Sequence, residues 1–227
     1  MQLPERPWNG YWLLDAYCCQ GGASMGYYLA GFNVVGVDLH PQPRYPFPFV
    51  QADAVEYIAT NGADFDAIAA SPPCQRYSAT QRIQGREHPD LIGPTRQALE
   101  STGRLWVIEN VEDARPELID PVTLCAATYG LHTYRHRLFE PGGGLRLDQP
   151  IHPQHTGATV KMGRPLQPGD FYHAVGNFSN VPYVRADMGV EWMSRDGIRE
   201  CIPPAMTRWI GRQLAEHLAA VPAGAAA

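Results

Sequence analysis

Phe65-Asp66-Ala67-Ile68-Ala69-Ala70-Ser71-Pro72-Pro73-Cys74-Gln75 decides how the rest of the chain is read. Its first six residues form a short, largely apolar run, the pattern of a strand buried on both faces of a parallel sheet. Pro72 and Pro73 then end the run, because proline has a fixed φ and no N–H for the ladder. The segment predicts a strand leading into a stiff turn, with the Cys74 thiol at the strand's carboxyl end. Open α/β sheets bind ligands at that end. Most free cysteines are buried packing residues, so the thiol acquires a chemical meaning only from its surroundings.

Upstream, Trp12–Ala16 reads as a first strand, followed by the Gly21-Gly22 turn and a helical run from Met25 to Ala30 closed by Gly31. Phe32–Asp38 predicts a second strand ending in a carboxylate. A connection rich in proline (Pro41, Pro43, Pro46, Pro48) leads to Phe49-Val50-Gln51 and a helix over Ala54–Thr60. Downstream, a polar segment from Arg76 to Pro89 precedes a helix over Thr95–Thr102 with Pro94 near its start. Leu105–Val111 is a further apolar strand with a polar end. Strands alternating with helices predict an α/β fold with a doubly wound, mostly parallel, Rossmann-like sheet. Residues 1–140 form the expected catalytic and cofactor-binding domain. Residues 141–190, rich in Gly, Pro, His and Asn, read as a small loop-rich lobe for target recognition. Residues 191–227 are expected to return a helix to the sheet through the apolar stripe Ile202, Met206, Ile210 and Leu214.

A chain of 227 residues with 44% hydrophobic content can bury a sizeable core. Five cysteines without framework spacing point to a reducing compartment, and the start of the chain carries no signal-peptide pattern, so a cytoplasmic location is expected. No apolar run is long enough to span a bilayer, and no membrane partner is expected. The net charge of −5 and pI of about 5.9 argue against binding nucleic acid by bulk electrostatics. Local clusters remain: Arg76, Arg82 and Arg86 in one segment, Arg135 and Arg137 in another. A monomer is expected.

The turn Tyr17-Cys18-Cys19-Gln20-Gly21-Gly22 after the first strand lets backbone approach a ligand, and Asp38 can accept two ribose hydroxyls. The dinucleotide GxGxxG and the phosphate-binding GxxxxGK[ST] patterns are both missing. A nucleoside without a pyrophosphate fits better, with Asp38 at the ribose, Asp53 at an adenine amino group and Tyr17 stacking. Asp38 and Asp53 acting as helix caps is the competing explanation. His152-Pro153-Gln154-His155, with His132, His136 and His173, has no helical spacing and no paired cysteines, so no metal is expected. Cys18, Cys19, Cys125 and Cys201 are expected to be packing residues.

In this order the segments resemble the DNA cytosine-C5 methyltransferase family over most of the chain, as a compact member with a very short target-recognition region. Asp15–Gly22 is similar to the family's first motif, Pro72-Pro73-Cys74-Gln75 to its nucleophile motif, and Glu109-Asn110-Val111 to its base-binding motif. Arg135-His136-Arg137 resembles the motif whose arginine contacts the target base, and Cys201-Ile202-Pro203-Pro204-Ala205 the last motif. The resemblance implies S-adenosylmethionine as cofactor, held by Tyr17, Gly21, Gly22, Asp38, Leu39, Asp53, Pro73 and Ile202. It implies Cys74 as covalent nucleophile, Glu109 at N3 of the base, Arg135 or Arg137 at O2, and Asn110 orienting the Cys74 turn. Double-stranded DNA is the implied partner, met by Gln75, Arg76, Ser78, Arg82 and Arg86. The chain departs from the pattern at Cys18-Cys19 (usually Ala-Gly), at Arg76-Tyr77-Ser78 (usually Gly-Phe-Ser) and at Glu200 (commonly Asn). Two alternatives stay open: a related C5-pyrimidine transferase using a modified donor or acting on RNA or a free nucleotide, and a catalytically silent DNA-binding homologue.

Overall fold

The computed structural model describes residues 2–74, 90–161 and 165–220. Seven strands form one sheet: Trp12–Ala16 (β1), Asn33–Asp38 (β2), Phe49–Gln51 (β3), Ala67–Ala70 (β4), Leu105–Asn110 (β5), Val122–Cys125 (β6) and His136–Gly142 (β7). Their order is β3-β2-β1-β4-β5-β7-β6. β1 to β5 are mutually parallel, whereas β7 enters antiparallel between β5 and β6. This is the expected doubly wound α/β architecture, that of a class I methyltransferase.

Helices cover both faces of the sheet. They are Gly22–Leu29 (α1), Ala54–Asn61 (α2), Ile92–Ser101 (α3), Val181–Met188 (α4), Arg195–Glu200 (α5) and Pro204–Ala220 (α6). Because side chains alternate along a strand, Leu13 and Leu14 of β1 feed different cores. Leu13 joins Phe32, Val107 and Phe139 under Met206, Ile210 and Leu214 of α6. Leu14 joins Ile68, Ile108 and Leu138 under Ile58 of α2 and Leu99 of α3. All four residues of β4 are buried, as its uninterrupted apolar run requires.

Several boundaries differ from the sequence expectation. Helix α1 starts at Gly22, three residues before the expected Met25, because Gly21 at φ 80 supplies the left-handed turn that precedes it. Helix α3 starts at Ile92, where the Asp90 carboxylate accepts the Ile92 N–H. β7 runs through residue 140 to Gly142, so a cut between domains at 140 would split a paired strand. The expected loop-rich lobe contains the short parallel pair Thr159–Val160 (β8) and Phe171–Tyr172 (β9), together with α4. Its core joins Tyr172, Phe178, Val184 and Met188 to Met193, Ile198 and Cys201, beyond residue 190. Two-residue strands and an eight-residue helix are too short to show a period. Among the described residues no helix is long and apolar enough to cross a membrane.

The α6 stripe is buried as predicted, with Met206, Ile210 and Leu214 fully inaccessible. Truncating Ile210 to Ala should lower stability by about 2–5 kcal/mol, the usual result of a cavity in a packed core. Urea denaturation checks this, and a loss of about 0.5 kcal/mol or less would contradict the packing of α6 on the sheet.

Candidate active site

The turn after β4 is fixed from two sides. Ser71 N–H donates to Ala16 O at 3.1 Å, which carries the β1–β4 ladder one residue further. Asn110, at the end of the neighbouring β5, donates from Nδ2 to Pro72 O at 3.0 Å, and its Oδ1 accepts the Val111 N–H at 2.9 Å. Asn110 thereby ties the Cys74 turn to the end of β5. Cys74 follows, half-buried. Burial pushes its thiol pKa up, the Glu109 carboxylate pushes it further up, and the Arg137 guanidinium pulls it down. All three groups therefore share one electrostatic environment.

Glu109 and Arg137 meet through sheet register. Glu109 of β5 lies opposite Phe139 of β7, and Arg137 is two residues earlier on β7, hence on the same face. Their side chains pair at 2.8 Å between Arg137 Nε and Glu109 Oε1, both largely buried. Arg137 Nη1 also donates to His136 O at 2.8 Å. Among the described residues nothing holds Nη2. Burial pushes the Glu109 carboxyl upward, against the opposing effects of Arg137, a Ser71 hydrogen bond and Arg135. Ser71 is a member of the site that the sequence reading did not single out. A cavity of about 190 Å³ is lined by Arg137 but not by Glu109 or Cys74, and also by Val111, Glu112, Tyr134, Arg135 and His173 among others.

Arg135 has a different position from the one expected. It is 2% exposed. Its Nη1 donates to Arg199 O at 2.9 Å and Cys201 O at 3.0 Å, and its Nη2 to Ala174 O at 2.9 Å and Ile198 O at 3.2 Å. Burial and the neighbouring Arg137 draw its pKa down to about 9. With four backbone carbonyls on its two terminal nitrogens, Arg135 fastens the lobe to β7 and is not free to meet a base. Of the two candidate arginines, Arg137 is the available one.

The expected cofactor residues lie after the carboxyl ends of β1, β2, β3 and β4, with Ile202 just before α6. Asp38 is 8% exposed; its Oδ2 accepts the Cys19 N–H at 3.0 Å and its Oδ1 the His40 N–H at 2.9 Å. Asp53 caps α2 by accepting the Glu56 N–H at 3.0 Å, so the capping explanation describes its Oδ1. A carboxylate oxygen has more than one acceptor site, which leaves both acids able to accept from a ligand. Tyr17 Oη lies 2.8 Å from Thr95 Oγ1. Leu39 is 58% exposed and Pro73 is also exposed, while Ile202 is buried. The glycine pair is also closely packed within the chain. A Cβ on Gly21 would press on the Tyr45 ring and one on Gly22 would overlap Cys201 Sγ and Ile202 O. Their small size thus admits other parts of the chain.

Two departures from the family pattern touch: Cys19 Sγ lies 3.7 Å from Glu200 Oε2. Cys19 has φ 45, a left-handed conformation that favours glycine, the residue more usual there. Beneath the loop, Ser24 donates to the Asp15 carboxylate and lies 2.9 Å from Tyr45 Oη. Burial raises the Asp15 pKa to about 7. A carboxylate inside an apolar strand was the available signal for this network; Tyr45, in the proline-rich connection, gave none. Gln75, Arg76, Ser78, Arg82 and Arg86 lie outside the described residues.

Comparisons with known proteins agree on the kind of molecule. No protein-family model matches the chain. It is 26% identical over 181 residues to the Type II methyltransferase M.AgeI of Thalassovita gelatinovora, covering 63% of this chain and 42% of the relative. It is 29% identical over 185 residues to the Type II methyltransferase M.XorII of Xanthomonas oryzae pv. oryzae, covering 65% of this chain and 44% of the relative. The chain thus matches less than half the length of these curated relatives. In fold it is similar to the S. pombe Dnmt2 methyltransferase crystal structure, with a TM-score of 0.56 at 13% identity, covering 92% of this chain and 99% of the other. Sequence and fold likenesses therefore both fall among methyltransferases, and the fold is theirs.

The electrostatics of Cys74 give a direct check. Its alkylation by iodoacetamide, followed by peptide mass spectrometry, should titrate with a midpoint above the ordinary thiol value, because burial and Glu109 both disfavour thiolate. Glu109→Gln removes the negative charge and should move the midpoint down. An unchanged or higher midpoint in that variant would contradict the placement of Glu109 beside the thiol.

Proposed function

We propose that the chain transfers the methyl group of S-adenosylmethionine to C5 of cytosine in double-stranded DNA, through a bond between Cys74 Sγ and C6 of the ring. The observation that carries this reading is the convergence, at one end of the sheet, of a half-buried thiol, a buried carboxyl and a guanidinium whose Nη2 has no partner among the described residues.

Cytosine C5 is a poor nucleophile. Addition of a thiolate to C6 breaks the C5=C6 π bond and leaves C5 with carbanion character, which is nucleophilic catalysis by cysteine. Negative charge then builds on the ring. A protonated Glu109 can donate to N3, and burial favours that protonated form. The same proton removes the negative charge that disfavours the Cys74 thiolate, so one protonation event assists both edges of the ring. Arg137, already oriented through Nε and Nη1, can donate from Nη2 to O2 as charge develops. C5 would then bond the methyl carbon as the donor's S–CH3 bond breaks and its electron pair stays on the departing sulfur. Loss of the C5 proton to water followed by β-elimination restores the C5=C6 bond and frees the thiol. Asn110 holds the turn that aims the sulfur. Arg135 acts at one remove, by positioning the strand and lobe around Arg137.

The residues at the sheet's carboxyl end fit the cofactor by their chemistry. Asp38 and Asp53 have acceptor capacity for ribose and adenine, Tyr17 offers a ring, and Leu39 and Pro73 present uncovered apolar surface. Ile202 backs the loop that Gly21 and Gly22 shape. S-adenosylmethionine supplies the electrophilic methyl group; the chain's own residues supply the rest. In a duplex the target base must leave the stack to reach such a pocket. The motif order supports DNA as the polymer, with Gln75, Arg76, Ser78, Arg82 and Arg86 as phosphate and base contacts and residues 141–190 as a short recognition region.

Incubation with labelled S-adenosylmethionine and mixed-sequence duplex DNA, followed by nucleoside mass spectrometry, tests the reading. The expected product is 5-methylcytosine, with Cys74→Ala slower by about a thousandfold or more, as for other removed nucleophiles. Methylation of an exocyclic amine, or an undiminished rate in Cys74→Ala, would overturn it.

A further inference from the structure

On β7, alternation sends Arg137 to one face of the sheet and His136, the strand's first residue, to the other. His136 lies directly opposite Cys125 of β6, so the two side chains share that second face. The chain leaving β7 brings His152 and His155 to the same place. The four donor atoms of Cys125, His136, His152 and His155 all lie within 4.8 Å of one another. His136 Nε2 is 2.8 Å from His152 Nε2 and 3.2 Å from His155 Nε2, and Cys125 Sγ is 3.4 Å from His155 Nε2. We propose that these four residues bind one zinc ion in a closed structural site. The inference rests on the fold and not on the methyl-transfer reading.

Hydrogen bonding alone does not account for the cluster. A neutral imidazole nitrogen is either an N–H donor or a single lone pair, so His136 Nε2 can satisfy one of its two close neighbours and not both. Protonated rings would place like charges side by side. A cation accepts all three lone pairs at once, with the thiolate as fourth ligand. One sulfur and three imidazoles suit zinc and exclude calcium and magnesium, which need oxygen donors. Four protein donors leave no open position, which marks a structural and not a catalytic site. His136 Nδ1 faces Glu112 Oε2 at 3.7 Å, the kind of carboxylate neighbour that orients a ligating histidine. His155 Nδ1 has no such partner among the described residues.

The expectation of no metal rests on the lack of helical spacing and of paired cysteines; the β6–β7 pairing that sets Cys125 beside His136 has no signature in the sequence. Of the other histidines considered, His132 is engaged by Asp187 and His173 lines the cavity. A zinc ion here would clip the end of β6, the start of β7 and the chain entering the lobe into one unit, directly behind Arg137. Its role is to position that strand.

The test uses the full chain, purified without a histidine tag or chelator. Elemental analysis should find zinc close to one equivalent per chain. Stripped protein reloaded with Co²⁺ should show the visible d–d bands of a tetrahedral site and a thiolate-to-cobalt charge-transfer band. Cys125→Ser should lose the charge-transfer band. His152 is exposed, so His152→Ala should keep the fold by circular dichroism while weakening Co²⁺ binding by about tenfold or more. Stripping zinc should lower Tm in the wild type and leave Tm of His152→Ala nearly unchanged. An octahedral cobalt spectrum without charge transfer, failure to take up Zn²⁺, or equal Co²⁺ affinity in wild type and His152→Ala would overturn the proposal.

Discussion

A buried carboxylate–guanidinium pair, Glu109 with Arg137, constrains the rest of this site. Taking two charges out of water costs several kcal/mol per ion, and removing either partner strands the other. The pair survives because each member has further support: Ser71 hydrogen-bonds Glu109, and His136 O accepts from Arg137. It exists at all because β7 runs antiparallel. Reversal places the start of β7 against the end of β5, so an arginine 28 residues downstream arrives at the sheet edge that also holds Cys74, Asn110 and Asp38. A parallel β7 would carry Arg137 to the opposite edge.

The two arginines of one short motif have separate roles. Arg137 keeps Nη2 without a partner among the described residues, while Arg135 spends its terminal nitrogens on Ala174, Ile198, Arg199 and Cys201 carbonyls. The strip of chain at 198–202 is therefore gripped by Arg135 at one point and abuts Gly22 at another. Through it the loop after β1 and the arginine on β7 share a common brace. His136, facing away, leads into the third feature of the motif, the cluster with Cys125, His152 and His155. Three consecutive residues thus provide the partner of Glu109, a lobe anchor and a candidate metal ligand.

Much of the fold was readable because doubly buried parallel strands are apolar runs, and β1, β2, β4 and β5 all are. The antiparallel pair was not. β6 is short, and β7 alternates His136, Arg137 and Glu140 among its apolar residues; Glu140 is buried only because Arg96 meets it at 2.6 Å. Such long-range pairing has no local signature. The same limit hid the Cys125–His136–His152–His155 cluster, whose Cys125 and His136 are neighbours only across the ladder. Cys74, Glu109 and Arg137 could be picked out because strand ends and a proline turn are local features. Which of Arg135 and Arg137 would be held by backbone carbonyls was not, since those carbonyls lie some forty to seventy residues away. The glycines at 21 and 22 pointed to a close approach, and only the structure identifies Tyr45, Cys201 and Ile202 as what approaches.

The central claim is that one sulfur can bond a pyrimidine carbon while an acid and a cation hold the ring's far edge. A duplex carrying 5-fluorocytosine tests it most directly, because fluorine at C5 leaves no proton for the final elimination. With S-adenosylmethionine present, the protein should form a denaturation-resistant adduct of mass equal to protein plus oligonucleotide plus one methyl group, with the crosslink mapped to Cys74. Absence of any adduct despite demonstrated cofactor binding, or attachment at a different residue, would contradict the account.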